Sequence, residues 1–285
     1  MSKTVIITGG TGGIGYQSAL GIAKTGARVL ITGRNQERGE QARLSLIAET
    51  DNQNIELLIG DVSSLKGINA LAKAILEKTD HIDVLVNNAG YLGSEYQKNE
   101  DGLEMHFAVN AFAPYQLTKA LLPALKATDN ARVLNVTGGD KPAAVDKDNL
   151  QAEKGFKGLM TYTHSKSILE SMSMVLAKEF ETEGVSVNVV FPGRASTAMT
   201  KSLSIDALPG PMKLMYPFFK WFFKDDGGKS AAKAARSTIW GATASDLEGV
   251  TGQYFDTNTK KQKLHPSSYD PEVQAKIIDI IHSVG

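Results

Sequence analysis

The fold is decided by residues 3–15, which read KTVIITGGTGGIG. Residues 4–8 are a short apolar run rich in β-branched side chains, and this pattern predicts a buried strand. Three glycines spaced G-x-x-x-G-x-G follow, and residues 16–25 then have a helical pattern. A dinucleotide-binding turn requires this context, because glycine lets the backbone approach a pyrophosphate and the helix N-terminus offers free N–H groups. An ordinary glycine-rich turn is the alternative interpretation.

Strand and helix patterns alternate along the rest of the chain. Several strand candidates are continuous apolar runs, which is typical of strands covered by helices on both faces. The alternation predicts an α/β fold with a doubly wound parallel sheet. No internal repeat or linker divides the chain, so we expect a single domain over residues 1–285. The predicted strands are 4–8, 28–32, 55–59, 82–86, 132–136, 185–190 and 252–255, and the predicted helices are 14–25, 36–50, 64–78, 101–126, 161–183, 229–244 and 271–282.

Composition narrows the classes of function. Basic and acidic residues both number 31, so no net field indicates a nucleic-acid partner. Cysteine is absent, which excludes disulfides, thiol catalysis and thiolate metal sites and is compatible with a reducing cytosol. The five histidines lack metal-like spacing, so no metal site is expected. The first strand begins by Thr4 and no apolar stretch reaches the roughly 20 residues of a transmembrane helix, so we expect a cytoplasmic protein.

A second informative segment is YTHSK at residues 162–166. On a helix, Tyr162 and Lys166 are four residues apart and share a face. A phenol has a pKa of about 10, and a neighbouring ammonium favours its ionised form, so the pair can exchange a proton near neutral pH. Two such residues are also common on solvated helix faces, and the pair gains meaning from the glycine turn upstream.

Four motifs occur in this order along the chain: TGGTGGIG at 8–15, NNAG at 87–90, Tyr162-x-x-x-Lys166 and Pro192-Gly193. Together they resemble the short-chain dehydrogenase/reductase family over nearly the whole chain. The segment at 162–166, with residues 247–254 downstream, is most similar to the retinol-dehydrogenase-like members. The resemblance implies a Rossmann fold and an oxidoreductase in which Tyr162 exchanges a proton with the substrate oxygen. It also implies that Lys166 lowers the pKa of that tyrosine and binds the nicotinamide ribose.

The cofactor preference is predicted from the end of the second strand, where Arg34 stands and no acid occurs before Glu37. An acid here suits the ribose 2′-hydroxyl of NAD, whereas an arginine suits the 2′-phosphate of NADP. NADP(H) is therefore favoured over NAD(H), with a solvated loop arginine as the alternative. Asp61 contacts adenine by resemblance, although it could instead cap the following helix. The remaining cofactor-binding residues implied by the resemblance are Gly9, Thr11, Gly13, Ile14, Gly15, Val62, Asn88, Ala89, Gly90, Tyr162, Lys166, Pro192, Gly193 and Thr197.

One catalytic position departs from the family pattern. The family places a serine at the edge of the fifth strand to polarise the carbonyl, and this position falls on Gly138. Losing one such donor raises the barrier by about 2.7–4 kcal/mol in enzymes built to use it. Thr137 is the candidate substitute if the strand has already broken there, and a water or a substrate group are the alternatives. Asn110 matches the asparagine that holds a water in the family's proton path, so the candidate catalytic set is Tyr162, Lys166, Asn110 and Thr137.

The substrate side is predicted at residues 198–226, which are rich in methionine and aromatic side chains. Because this segment follows the Pro192-Gly193 turn, we expect a lid over a bulky apolar small-molecule substrate. Packing against the domain and peripheral contact with a membrane are the alternatives, the latter because lysines flank the aromatic residues. Helices 101–126 and 161–183 often form a dimer interface in the family, so a homodimer is a further option.

Three functions compete on this basis. The first is an NADP(H)-dependent oxidoreductase that interconverts a carbonyl and an alcohol. The second is a non-redox enzyme that uses Tyr162 as acid and base in a cyclisation, dehydration or isomerisation. The third is a nucleotide-sensing binding protein without turnover. The intact Tyr, Lys and Asn set favours an enzyme over a sensor, and we favour the oxidoreductase.

Overall fold

The strands of the computed structural model form one sheet. The model describes residues 2–139, 142–201, 204–208, 210–222 and 224–284. The strands are β1 (Thr4–Ile7), β2 (Arg28–Gly33), β3 (Ile55–Ile59), β4 (Val84–Asn87), β5 (Arg132–Val136), β6 (Ser186–Val190), β7 (Tyr254–Phe255) and β8 (Lys261–Gln262).

The strand order explains where a ligand can bind. It is β3-β2-β1-β4-β5-β6-β7-β8, with β1 to β7 parallel and β8 antiparallel to β7. The chain order reverses between β1 and β4, and doubly wound sheets bind ligands at the carboxyl edge beside such a reversal. Thr8, Asn88 and Thr137 follow β1, β4 and β5 and therefore meet at this edge.

Helices cover both faces of the sheet, as the continuous apolar strands predicted. Ile6 of β1 packs into one hydrophobic layer, whereas Val5 and Ile7 pack into the opposite layer, and all three are buried. The alternation follows from the two-residue period of a strand. The helices are α1 (Gly13–Ala23), α2 (Gln36–Thr50), α3 (Leu65–Leu76), α4 (Met105–Phe107), α5 (Ala113–Leu125), α6 (Gly158–Phe180), α7 (Ala198–Lys201), α8 (Tyr216–Phe222), α9 (Lys229–Ala234), α10 (Arg236–Thr243) and α11 (Pro271–His282).

The structure departs from the predicted elements in several places, among them the short helices α7 and α8, which were not predicted. The segment expected as a helix over 101–126 is α4 and α5 joined by a π-helical turn at Ala108–Phe112. The helix expected over 229–244 is divided into α9 and α10. Strand β8 was not predicted, because its two residues are exposed and polar and carry no apolar pattern.

The apolar stripe of α6 is buried within this chain. Ile168, Leu169 and Met172 each have 0% of their surface exposed and pack into the layer that α3, α5 and α11 share. Fully burying such a side chain stabilises the fold by about 1.5–3 kcal/mol. The stripe is therefore part of the core and is not free to form a dimer interface.

Candidate functional site

The glycine turn between β1 and α1 requires its glycines. Gly9 and Gly13 have φ values of 65° and 55°, in the left-handed region that glycine adopts without a steric penalty. A Cβ on Gly15 would lie 2.3 Å from the carbonyl oxygen of Gly9, so no side chain fits there. The spacing recognised in the sequence thus reflects a tight backbone turn at the N-terminus of α1.

The end of β4 fastens this turn to the sheet. The Asn88 side-chain Nδ2 donates hydrogen bonds to the carbonyl oxygens of Thr8 at 2.9 Å and Gly9 at 3.2 Å. The Thr8 hydroxyl in turn accepts from the backbone N–H groups of Asn88 and Ala89, each at 3.0 Å. These bonds hold the glycine turn and the residues after β4 as one unit.

Two arginines stand at the far end of the turn. Arg34 follows β2, and Asn35 then caps α2 by accepting a hydrogen bond from the backbone N–H of Arg38 at 2.8 Å. The guanidinium of Arg38 reaches back over the glycine turn, since a Cβ on Gly12 would lie 2.6 Å from Arg38 Nη2. Arg38 was not predicted as a site residue, although a second arginine four positions after Arg34 was a signal in the sequence.

Asp61 does not cap the next helix. That role belongs to Ser64, whose hydroxyl accepts from the backbone N–H of Gly67 at 3.3 Å. Asp61 Oδ1 accepts from the backbone N–H of Ser63 at 3.0 Å, which holds the turn after β3. The second carboxylate oxygen of Asp61 is therefore the one that can face a ligand.

Asn110 lies in the π-helical turn and is fully buried. Its side-chain oxygen accepts from the backbone N–H of Tyr91 at 2.8 Å, and its Nδ2 donates to the Tyr91 carbonyl at 2.9 Å and to Ser165 Oγ at 2.9 Å. The Ser165 hydroxyl donates to the carbonyl of Tyr162 at 2.7 Å. Single π-helical turns are frequent at functional sites, and this one joins the loop after β4 to α6.

Tyr162 and Lys166 share a face of α6, as predicted. Lys166 Nζ donates to the carbonyl of Val136 at 3.0 Å and lies 6.0 Å from the centre of the Tyr162 ring. Burial raises the pKa of Tyr162 to about 12, and burial lowers the pKa of Lys166 to about 8 while the Glu170 charge opposes that shift. Burial therefore acts on the pKa of Tyr162 in the direction opposite to the one expected from a neighbouring ammonium.

Gly138 lies directly against the phenol. A Cβ at this position would lie 2.4 Å from the Tyr162 hydroxyl, where ordinary contact begins at 3.4 Å. The position therefore lacks both the serine hydroxyl of the family pattern and the space for a side chain beside Tyr162 in its present place.

Thr137, the candidate substitute for the missing serine, uses its hydroxyl as a donor elsewhere in this structure. It is buried, and its hydroxyl donates to Glu170 Oε1 at 2.7 Å. Adjacent strand residues point to opposite faces of the sheet. The Thr137 side chain points to the face on which Glu170 lies.

The turn after β6 closes the site from the other side. Gly193 has a φ of 77°, and a Cβ on Gly13 would lie 3.1 Å from the Thr197 methyl carbon. Thr197 therefore packs on the glycine turn, and helix α7 of the candidate lid begins at the next residue.

These elements surround one cavity of about 1440 Å³. Of the site residues predicted from the sequence, Asn110 is the one that lies behind the wall, whereas the others line the cavity. Met199, Met215 and Phe218 of the candidate lid also line this cavity. Of that lid, residues 202, 203, 209 and 223 lie outside the described residues.

The candidate lid has two faces. Leu208 is buried and packs with Leu92 and Leu159 of the domain, so part of the segment is ordinary packing. Leu214 and Trp221 have 89% and 62% of their surface exposed. The buried Leu208 fits the interpretation of this segment as packing against the domain. The cavity-lining side chains of the segment are compatible with the interpretation as a lid.

Two further features of the chain concern metal ions and membranes. In the described part of the chain, no group of three or more His, Asp or Glu side chains could hold a metal ion. Across the same ranges, no helix combines the length and apolar character needed to cross a membrane.

Comparisons with known proteins match the geometry. The family model for short chain dehydrogenases matches residues 3–207. Human retinol dehydrogenase 13 is 32% identical over 277 residues, covering 96% of this chain and 82% of the relative. Mouse retinol dehydrogenase 14 is 32% identical over 290 residues, covering 98% of this chain and 84% of the relative.

Two similar solved structures contain NADP. The RhlG/NADP complex from Pseudomonas aeruginosa has a TM-score of 0.65 and 28% identity, covering 89% of this chain and 94% of that one. A short chain dehydrogenase from Shigella flexneri 2a complexed with NADP has a TM-score of 0.66 and 26% identity, covering 90% and 97%.

Proposed function

The chain belongs to the short-chain dehydrogenase/reductase family of oxidoreductases, and on this premise we propose that it interconverts a carbonyl and an alcohol with NADP(H). The substrate class is a bulky apolar small molecule. Tyr162 is the proton donor and acceptor, with Lys166 beside it.

The observation that carries the proposal is the continuity of the cavity. Arg34 and Arg38 line this cavity, and so do Tyr162, Met215 and Phe218. We call the part at the glycine turn and the two arginines the nucleotide end, and the part at Met215 and Phe218 the lid end. Its volume of about 1440 Å³ exceeds the roughly 300–1,000 Å³ of a single-ligand pocket. A dinucleotide and a substrate therefore have room to meet beside the phenol.

The residues at the nucleotide end fit a dinucleotide with a 2′-phosphate. The glycine turn brings bare backbone to the cavity wall, and two guanidinium groups stand at the position where a ribose 2′-substituent lies in this fold. Guanidinium groups bind phosphate through forked, charge-assisted hydrogen bonds. The NADP in the two similar structures supports the same preference.

Proton chemistry follows from the two side chains on α6. The nicotinamide group, when bound, supplies or accepts the hydride. Tyr162 holds its proton at neutral pH, because burial raises its pKa to about 12, and it can donate that proton to a substrate oxygen. The Lys166 ammonium stabilises the phenolate that this donation leaves. The arrangement therefore favours carbonyl reduction at neutral pH.

The lid end supports an apolar substrate. Met199, Met215 and Phe218 present flexible or aromatic apolar surface to the cavity. The curated relatives are named for retinol, an apolar alcohol. A cytoplasmic location stays a proposal, with which the absence of cysteine is compatible. A homodimer stays a proposal, and its interface would not include the buried apolar stripe of α6. Peripheral contact with a membrane also stays a proposal and rests on the exposed Leu214 and Trp221.

The test is a redox balance. Purified protein, NADPH and a panel of apolar aldehydes and ketones should give one alcohol for each NADPH consumed, and NADH should serve less well. Tyr162→Phe is the matched blank. A panel in which no carbonyl is reduced, while NADPH binds, would reject the oxidoreductase.

A non-redox enzyme is the second candidate, and the Gly138 geometry favours it. No serine hydroxyl is present to polarise a carbonyl, and the phenol occupies the space beside Gly138. A reaction that needs acid and base but no oxyanion donor suits such a site. Product formed while the bound nucleotide keeps its redox state would establish this candidate, and one alcohol per NADPH would reject it.

A further inference from the structure

Glu170 is a buried acid that the proposed proton transfer does not use. Only 2% of its surface is exposed, and it lies one helical turn after Lys166 on α6. Oε1 accepts the hydrogen bond from Thr137, whereas Oε2 has no hydrogen-bond partner among the described residues. A buried carboxyl group that is half satisfied is destabilising unless a nearby charge compensates it.

The charges around Glu170 come from two elements. Lys166 faces it from the same helix, and its charge acts on the carboxyl group. Tyr254 faces it from β7, and the charges of Glu170 and of Asp256, which follows β7, both raise the pKa of that phenol after the larger effect of burial. Thr137 approaches from the end of β5 as a neutral donor. Lys166 is thus the cation that this acid can compensate.

We propose that Glu170 is a positioning residue that keeps Lys166 protonated, and therefore keeps Tyr162 beside a positive charge. Glu170 touches neither substrate nor nucleotide and acts through Lys166. The electrostatic part of this inference stands on the α6 geometry, whereas its effect on turnover rests on the proposed function.

The titration behaviour of the pair agrees with this role. Burial raises the pKa of Glu170 to about 7, against the Thr137 hydrogen bond and the Lys166 charge, which lower it. Burial lowers the pKa of Lys166 to about 8, against the Glu170 charge. Glu170 therefore gains its charge over the pH range in which Lys166 begins to lose its own. Without that charge, Lys166 loses its proton at a lower pH.

A turnover-independent experiment tests the inference. Lysine side chains labelled with ¹³C at Cε are titrated by NMR in the folded protein, and Lys166→Arg identifies the Lys166 signal. We expect the Lys166 midpoint to fall in Glu170→Gln. Thr137→Val, which nearly conserves shape, removes the donor to Glu170 and should lower the Lys166 midpoint by a smaller amount. It decides the question alone if Glu170→Gln does not fold.

A second arm measures carbonyl reduction between pH 6 and 9. The loss in Glu170→Gln should grow severalfold, up to about tenfold, towards alkaline pH, because Lys166 then loses its proton at a lower pH than in the wild type. A purely structural role would give the same fractional loss at every pH. Glu179→Gln is the matched control, because Glu179 is an exposed acid on the same helix, paired with Lys119.

The two arms separate the possible failures. If no carbonyl is reduced but the Lys166 midpoint falls in the variants, the proposed function fails and the role of Glu170 stands. A Lys166 midpoint unchanged in the folded variants overturns the role of Glu170, whatever the turnover shows.

Discussion

The two ends of the cavity are built in different ways. At the nucleotide end, the wall contains glycines with left-handed φ, fixed by Asn88 bonded to the carbonyls of Thr8 and Gly9. The guanidinium groups of Arg34 and Arg38 line the same end. At the lid end, the wall is made of long apolar side chains such as Met215 and Phe218, each about half exposed. The first end is specified by close approach of the backbone, and the second by apolar area alone.

This difference teaches where substitutions should act. Backbone geometry and hydrogen bonds discriminate sharply, because an unpaired or crowded polar group is strongly unfavourable. Apolar contact scales with area and tolerates exchange. Changes at the nucleotide end and beside the phenol should therefore have large and specific effects, whereas changes in the lid should be small and depend on the substrate.

The largest effect is expected for Tyr162→Phe, between the two ends. The ring remains and the exchangeable proton is lost, so turnover should fall by about 10²–10⁴ while NADPH affinity stays near that of the wild type. Steady-state kinetics and fluorescence titration of NADPH measure the two quantities. Tyr115→Phe, a core tyrosine outside the cavity wall, is the control. Wild-type turnover in Tyr162→Phe would remove this phenol from the chemistry.

The next effect concerns Gly138, where both alanine and serine place a Cβ against the phenol. Displacing the Tyr162 hydroxyl by about 1 Å should slow turnover by about 10²-fold in Gly138→Ala. Gly138→Ser has the same Cβ plus a hydroxyl, so the ratio of the two variants isolates what an oxyanion donor adds. Both variants at wild-type rates would show that the phenol moves freely, and the site would then resemble the adaptable lid end.

At the nucleotide end, Arg34→Ala and Arg38→Ala should each weaken NADPH and leave NADH nearly unchanged. A charge-assisted hydrogen bond contributes roughly 1.5–3 kcal/mol, or about tenfold to hundredfold in affinity. Arg43→Ala is the matched control, because Arg43 lies on α2, as Arg38 does, but pairs with Glu40. Dissociation constants for both nucleotides by calorimetry give the comparison. Equal weakening of NADH and NADPH would contradict a 2′-phosphate site.

The smallest effect is expected in the lid. Phe218→Ala removes a half-exposed apolar contact and should raise KM for an apolar carbonyl about fivefold, with little change in NADPH affinity. Trp221→Ala is the control, since Trp221 is on α8 but does not line the cavity. A loss as large as that of the arginine variants would mean that the lid recognises its ligand as sharply as the nucleotide end does.

The strand, glycine turn and helix at the start of the chain were predictable because their signals are local. A glycine that must adopt positive φ, such as Gly9 or Gly13, stands beside the strand and helix that it joins. Strands β1 to β6 and the longer helices between them each carry a hydrophobic pattern of their own, so the doubly wound sheet was predictable. Strand β8 carries no such pattern and appears only through its pairing with β7.

The parts that could not be predicted depend on contacts between distant segments. Arg38 reaches Gly12 only because α2 turns back towards the glycine turn, and Thr137 meets Glu170 only because β5 packs on α6. The pKa of Tyr162 depends on burial, which spacing along α6 does not report. Motifs thus identified the residues of the site, while the roles of Thr137 and Glu170 required the fold.

The contact between Thr197 and Gly13 has a consequence for the order of events in turnover. Because Thr197 packs on the glycine turn, we expect a dinucleotide bound at that turn to contact Thr197. The first helix of the lid, α7, begins at the next residue, Ala198. We therefore expect compulsory addition, with the dinucleotide entering before the carbonyl and leaving after the alcohol. Product-inhibition patterns report this order: the oxidised dinucleotide should compete with NADPH, and the alcohol should not. Between turnovers, the protein would then be in its nucleotide-bound form, ready to bind the apolar substrate.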